Sequence, residues 1–244
     1  MAYTMWRGVL GMVKPTRRPG SLEELIRALP EGIGVVPLLL NVREGSRDEF
    51  GSAIPHYEKF TAELAEQGCD MISCNGTPPF MLLGYKGETK LIDSWRKKYK
   101  TPIFTAGQNH VAAMRALGIK KFVGASYSAL QNKIVIDYMK EAGFGIASME
   151  AIDVPFQQAG QISPETLYAH IKRLFLTHKG ADGIYIQGGA WRNVSIIETL
   201  EQDLGVPVVH ATLALAWQTQ KQLRVNQPLE GYGTLLRELP DVVD

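Results

Sequence analysis

Along nearly its whole length the chain alternates between short apolar runs rich in β-branched residues and longer stretches whose apolar positions recur at helical spacing. The runs predict strands at Val9–Val13, Gly34–Leu40, Met71–Cys74, Ile103–Thr105, Phe122–Ala125, Ile146–Ile152, Gly183–Ile186 and Val206–Val209. Between them the spacing predicts helices near 21–29, 54–67, 88–98, 107–117, 129–142, 164–178, 193–203 and 212–223. Start and stop signals agree. Ser21 with Glu24 reads as a capping box, Ser163-Pro164 as an N-cap and first-turn proline, and Gly118 and Gly143 as left-handed C-caps. Alternation this strict implies an α/β fold in which parallel sheets are covered on both faces.

Within that pattern one unit occurs twice. Asp70-Met-Ile-Ser-Cys-Asn-Gly76-Thr77 and Asp182-Gly-Ile-Tyr-Ile-Gln-Gly188-Gly189 each consist of an acid, a buried-strand pattern, an amide residue and a glycine. Each is followed by a helical stretch and a second strand with a matching start, Thr101-Pro102 and Val206-Pro207. Two related α/β halves would set the two glycine turns face to face across a cleft, at the carboxyl ends of the strands where ligands bind in open parallel sheets. The chain divides near Gly118 into a first half, 1–117, and a second, 118–211. The helix at 212–223 is expected to return to the first half. The tail, 224–244, is irregular from Pro228 and free to wrap the surface or a partner subunit.

Bulk composition narrows the partners. A chain of 244 residues with a formal net charge of +1 offers no electrostatic case for nucleic acid or an anionic membrane surface. Its longest basic cluster, Arg96-Lys97-Lys98, reads as the solvated end of a helix. No apolar run is long enough to span a bilayer, and Arg7 interrupts the short apolar start, so no signal peptide is expected. Cys69 and Cys74 flank a strand start and are poorly placed to bridge, which suits a reducing, cytoplasmic setting. A homo-oligomer is left open.

The glycine turns are the first place to look for chemistry. Glycine lets the backbone approach a ligand and aim N–H groups at an anion, so Asn75, Gly76 and Thr77 on one side and Gln187, Gly188 and Gly189 on the other could embrace a small carboxylate. The plain alternative is a pair of tight β-to-α turns. Neither turn has the spacing of a Walker loop or a dinucleotide fingerprint, so no nucleotide cofactor is expected. Tyr127 ends the strand that begins at Lys121, where its phenol could donate to an anionic oxygen, or simply cap the surface. Asn132, early in the next helix, is a further candidate for substrate binding, though it could equally hold that turn together or be a solvated polar residue. Cys74 invites a nucleophile reading, yet its place in an apolar strand equally fits a small buried hydrophobe. His210 ends a strand and is the best-placed histidine for acid–base work; His110 comes second, and His56, His170 and His178 sit in ordinary helical contexts. No histidine or cysteine spacing suggests a metal.

At these turns the sequence resembles the aspartate/glutamate racemase superfamily, particularly its arylmalonate decarboxylase and maleate isomerase branch. The likeness runs through Gly11-Met-Val-Lys-Pro15, Ser73-Cys-Asn-Gly-Thr77, Met114 to Tyr127 with Asn132, Ala181 to Gly189, and Gly205-Val-Pro-Val-Val209 with Trp217. It implies two pseudosymmetric α/β domains, each with a parallel four-stranded sheet, and a small-acid site in the cleft between them. In that superfamily the racemases use one cysteine from each half, and the decarboxylases keep only the second. By ungapped matching the first position falls here on Gly76 and the second on Gly188, or on Gln187 after a one-residue shift. The chain therefore has no thiol at the second turn, and Cys74 lies two residues before the first. Thr77, Tyr127 and the backbone of Gly188 and Gly189 match the anion-binding part, while Pro78 replaces a hydroxyl residue common in the decarboxylases.

The resemblance implies a cofactor-independent isomerase or decarboxylase acting on a small carboxylic or dicarboxylic acid through an enediolate-like intermediate. Aligned donors around the charged oxygens would lower that barrier, by roughly 3 kcal/mol per well-placed donor. Cys74, His210, or a water held by Gln187 and Asn75 would transfer the proton. Two other readings stand beside this one: a protein that binds a small carboxylate without converting it, and a hydrolase using Cys74, for which no triad pattern is present.

Overall fold

The computed structural model describes residues 5–18 and 21–243. Its described strands form two parallel four-stranded sheets. The first contains β1 (Gly8–Lys14), β2 (Ile33–Leu39), β3 (Met71–Cys74) and β4 (Ile103–Thr105), in the order β2-β1-β3-β4. The second contains β5 (Lys121–Ser126), β6 (Gly145–Ala151), β7 (Gly183–Ile186) and β8 (Val208–His210), in the order β6-β5-β7-β8. Each sheet thus repeats one connectivity, and the α/β class with two pseudosymmetric four-stranded sheets is as the sequence pattern and the resemblance imply.

The helices are α1 (Ser21–Arg27), α2 (Arg47–Glu66), α3 (Thr77–Met81), α4 (Gly84–Tyr99), α5 (Ala106–Ala116), α6 (Ala129–Glu141), α7 (Pro164–Thr177), α8 (Ile197–Leu204), α9 (Ala211–Gln222) and α10 (Thr234–Glu238). Several differ from expectation for local reasons. α2 starts well before residue 54 because the Ser46 side chain accepts from the Glu49 N–H at 3.2 Å, and the helix tolerates Pro55 inside it. Ser21 is already helical, and Glu24 accepts from the Val194 N–H at 3.0 Å instead of closing a capping box. The short α3 is unforeseen; its Pro78 and Pro79 fit a first turn, where prolines need no N–H partner. In the tail, α10 packs on α9, and the Trp217 indole donates to the Pro240 carbonyl at 2.9 Å. Residue 244 lies outside the described residues. As expected, Ser163 caps α7, and Gly118 and Gly143 adopt positive φ after α5 and α6.

Alternation along the strands decides what faces what. On β1, Val9 and Val13 join a smaller core with Leu64, Tyr57 and Trp95, whereas Leu10 and Met12 join the larger core that runs into the second half. On β3, Ile72 and Cys74 face the smaller core and Met71 the larger one. α9 packs against α5 and α1. Buried polar contacts tie the two sheets' surroundings together: Tyr185 of β7 to His110 of α5 at 2.8 Å, and Tyr138 of α6 to Glu88 of α4. Among the described residues no helix is long and apolar enough to cross a membrane.

Candidate active site

A cavity of about 100 Å³ opens where the carboxyl ends of both sheets meet. That is room for several waters, each needing roughly 10–15 Å³. Residues just past β3, β4, β5, β7 and β8 line it, namely Asn75, Ala106, Tyr127, Gln187 and Ala211, with Lys14 at the end of β1. Met12, Leu25, Phe50 and Leu215 supply an apolar wall.

The first turn is shaped by constraint. Gly76 has φ 93° and ψ 101°, and a Cβ there would lie 2.7 Å from Pro15 Cγ and 2.9 Å from the Tyr57 hydroxyl. Only glycine fits. Thr77, nearly buried, accepts a hydrogen bond from the Gln187 amide at 2.6 Å across the cleft, which leaves its own hydroxyl hydrogen free to donate. Pro78 and Pro79 have no N–H, so the first turn is poorer in backbone donors than its glycine suggests. Asn75 accepts from the Ser73 hydroxyl at 3.2 Å, while its amide nitrogen is buried without a partner.

The second turn reaches a similar shape by other means. Gly188 has an ordinary φ, but a Cβ would lie 2.6 Å from Trp191 Cε3 of a fully buried indole. Gly189 is different: its nearest atom would be Ala211 Cβ at 3.9 Å, so this position has room for a side chain. Gly188, Gly189 and Ala190 all line the cavity, and their N–H groups take no backbone partner among the described residues. The Gln187 side-chain oxygen, Oε1, is likewise buried without a partner.

Two cations on this wall were not anticipated. Lys14 is 5% exposed, and burial, with the Arg18 charge as a lesser cause, brings its ammonium down to about 8. It donates to the backbone carbonyls of Thr16 and Arg18. Arg18 lies 4.3 Å from the Phe156 ring centroid, stacked over it, and donates to the Phe156 carbonyl. Tyr127, also facing the cavity, packs edge-on to Trp191, and burial raises its phenol, so it stays a neutral donor. The signal that could have located Lys14 is parity. It lies two residues beyond Met12 and four beyond Leu10, on the strand face that looks into the cleft.

The expected proton-transfer groups sit elsewhere. Cys74 is fully buried on the opposite strand face, against the Thr61 hydroxyl at 3.4 Å, and burial pushes its thiol up to about 12. A thiol so held is neither in the cavity nor ionised, which also removes the basis for a Cys74 hydrolase. His210 does not line the cavity either. It caps α9 by accepting from the Thr212 N–H at 3.3 Å, and burial lowers it to about 4. His110 does line it, with Nε2 unpartnered, but burial first and His210 second bring it down to about 3, so it is neutral. Asn132 lies in the first turn of α6, where it accepts from the Ser126 hydroxyl at 2.6 Å and donates to the Met149 carbonyl at 3.2 Å, holding the preceding turn. The structure thus gathers Asn75, Gly76, Thr77, Tyr127, Gln187, Gly188 and Gly189, and leaves Cys74, His210 and Asn132 outside. Cys69 and Cys74 form no disulfide.

Two repeated α/β sheets thus share a cavity at their facing carboxyl ends, lined by two cations and several neutral donors. The model of the arylmalonate decarboxylase family matches residues 28–236, and the chain belongs to that family. It is similar to a maleate isomerase of Geobacillus stearothermophilus, 20% identical over 93% of this chain and 96% of that one. Among solved structures it is similar to the maleate isomerase Iso of Pseudomonas putida S16, with a TM-score of 0.86 at 19% identity, covering 95% of this chain and 99% of the other. It also matches a cysteine-to-serine mutant of the Nocardia farcinica maleate cis-trans isomerase with a covalently bound succinylcysteine intermediate. There the TM-score is 0.84 at 20% identity, over 95% of this chain and 98% of the other. With such relatives the chain is an enzyme of the isomerase and lyase kind.

Proposed function

We propose that this enzyme isomerises or decarboxylates a small dicarboxylic acid through an enediolate-like intermediate, with no thiol and no cofactor taking part. One observation carries the reading. Among the described residues, the cavity wall holds two cations, Lys14 and Arg18, several neutral donors, and no carboxylate or cysteine. A wall so composed favours a dianion over a neutral or cationic ligand, and the low local dielectric strengthens each contact. Arg18 suits one carboxylate of the substrate by its fork of donors. Thr77, Tyr127 and the N–H groups of Gly188 and Gly189 suit the other, where charge grows as the enediolate forms. The maleate isomerases among the relatives make a dicarboxylate the natural first substrate to try. An adduct like that of the Nocardia enzyme has no cysteine to form on at this wall.

The test is NMR in deuterated, chelator-treated buffer with a panel of maleate, malonates and substituted succinates. Turnover of a dicarboxylate, or deuterium entering its α-carbon, is the expected result. Stabilisation of the fold by these acids with no reaction of any of them would instead make the protein a carboxylate binder.

A further inference from the structure

We propose that Lys14 is the catalytic proton donor of this cavity, standing in for the thiol that the chain lacks, and that the reaction it serves best is the one-proton reaction, decarboxylation. The inference rests on the dicarboxylate reading above. It starts from geometry. Lys14 is buried at the end of β1, on the strand face that looks into the cleft, and lines the cavity. Its ammonium has three N–H donors, of which the carbonyls of Thr16 and Arg18 take two. The third has no partner among the described residues, and no carboxylate there pairs with the ammonium.

The surroundings suit a proton that must leave. The charged and titratable groups that line the cavity with Lys14 are Arg18, Tyr127 and His110. Arg18 repels the ammonium, Tyr127 stays protonated, and His110 is neutral. Apart from the two carbonyls it donates to, no anionic neighbour among the described residues stabilises the charged form, and the ammonium titrates at about 8, close to the range where an acid can both hold and release its proton. His110 is too weak a base to share the task, and Cys74 and His210 lie off the cavity. Among the described residues, the wall therefore offers one readily transferable proton. Racemisation needs an acid and a base on opposite faces; decarboxylation needs only one acid.

The step balances without a co-reactant. The bond from the α-carbon to one carboxylate breaks, and carbon dioxide leaves along the apolar wall of Met12, Leu25 and Leu215. The electron pair passes into the enediolate of the remaining carboxylate, held by the donors of both turns. The Lys14 ammonium then gives its proton to the α-carbon, forming the C–H bond, and the neutral amine regains a proton from water. One proton is consumed for each carbon dioxide released.

The experiment compares the wild type with Lys14→Arg and Lys14→Met on a 2-substituted malonate, following kcat, KM, dicarboxylate binding and the melting temperature. Lys14→Arg keeps the cation but cannot release its proton at neutral pH. It is expected to bind within about fivefold of wild type and to lose kcat by about 10²–10⁴-fold, the usual worth of a positioned general acid. For wild-type enzyme, kcat/KM should fall as pH rises through about 8, because the active form of the free enzyme is protonated. This profile stands even if a variant fails to fold. Wild-type turnover with kcat retained in Lys14→Arg, or with no decline of kcat/KM up to pH 10, overturns the role of Lys14 alone. A wild type that converts and exchanges none of these acids overturns the dicarboxylate reading beneath it.

Discussion

The two glycine turns look alike in sequence and are enforced by different physics. Gly76 needs its glycine because the backbone sits at φ 93° between Pro15 and Tyr57. Gly188 has no left-handed φ and needs glycine because the Trp191 indole covers it. Their contributions differ as well. The first half brings charge, from Lys14 and Arg18, beside a turn whose prolines remove N–H donors. The second brings neutral backbone donors and, among the described residues, no cation to the wall. A repeat can therefore keep a shape in both halves while dividing the work between them.

The sharpest way to break that comparison is Gly76→Ala. Forcing a side chain into a glycine-only region and against Pro15 should cost roughly 2–6 kcal/mol, read as a lowered denaturation midpoint. If the loss is under about 1 kcal/mol, the first turn is not constrained as described. Arg18→Met tests where the charge comes from. It should raise KM for a dicarboxylate about 10–100-fold, from the loss of a charge-assisted bond, with little change in melting temperature. A monocarboxylate should suffer less. Gly188→Ala should cost about 1–3 kcal/mol from overpacking, and much less in a Trp191→Leu background; equal costs in both would show that the indole is not the cause.

A smaller effect probes the wall between the halves. His110 and His210 titrate at about 3 and about 4 in the folded protein, below the ordinary 6.5, so unfolding takes up protons as pH drops beneath 6.5. Their stabilisation is present above 6.5 and is lost as pH falls. Glu88, held up to about 7, has the opposite sign: it binds a proton in the folded state between about 4.5 and 7. Two histidines against one glutamate leave a net loss of stability on acidification from 6.5 to 5. Urea titrations across that range should show it, and Glu88→Gln should steepen it. The smallest effect belongs to Gly189→Ala. Its Cβ meets nothing closer than 3.9 Å, so stability should change by less than about 0.5 kcal/mol.

Much of this is legible in the sequence. β3, β4 and β7 coincide with their apolar runs, because a strand buried on both faces leaves no ambiguity of period. The position of the cleft was legible from the repeat. Less visible was α3, since Pro78-Pro79 reads as a break until Gly76 is seen turning the chain into a helix. Side-chain direction was the larger gap. Cys74 drew attention as a thiol next to a glycine turn, but strand alternation turns it to the α2 side, into the core with Ile72. The same alternation turns Lys14 into the cleft, two residues beyond Met12 on the same strand face. Arg18 was beyond pattern altogether, because it lies in an irregular segment and its place depends on Phe156 from the other half.

That this cavity works without a thiol can be tested in one comparison. The chain has two cysteines, Cys69 and Cys74, so a Cys69→Ala, Cys74→Ala variant contains none. Its kcat/KM on the best dicarboxylate, and its rate of deuterium incorporation, should stay within about threefold of wild type. A loss of a hundredfold or more in a variant that remains folded would contradict a thiol-free site.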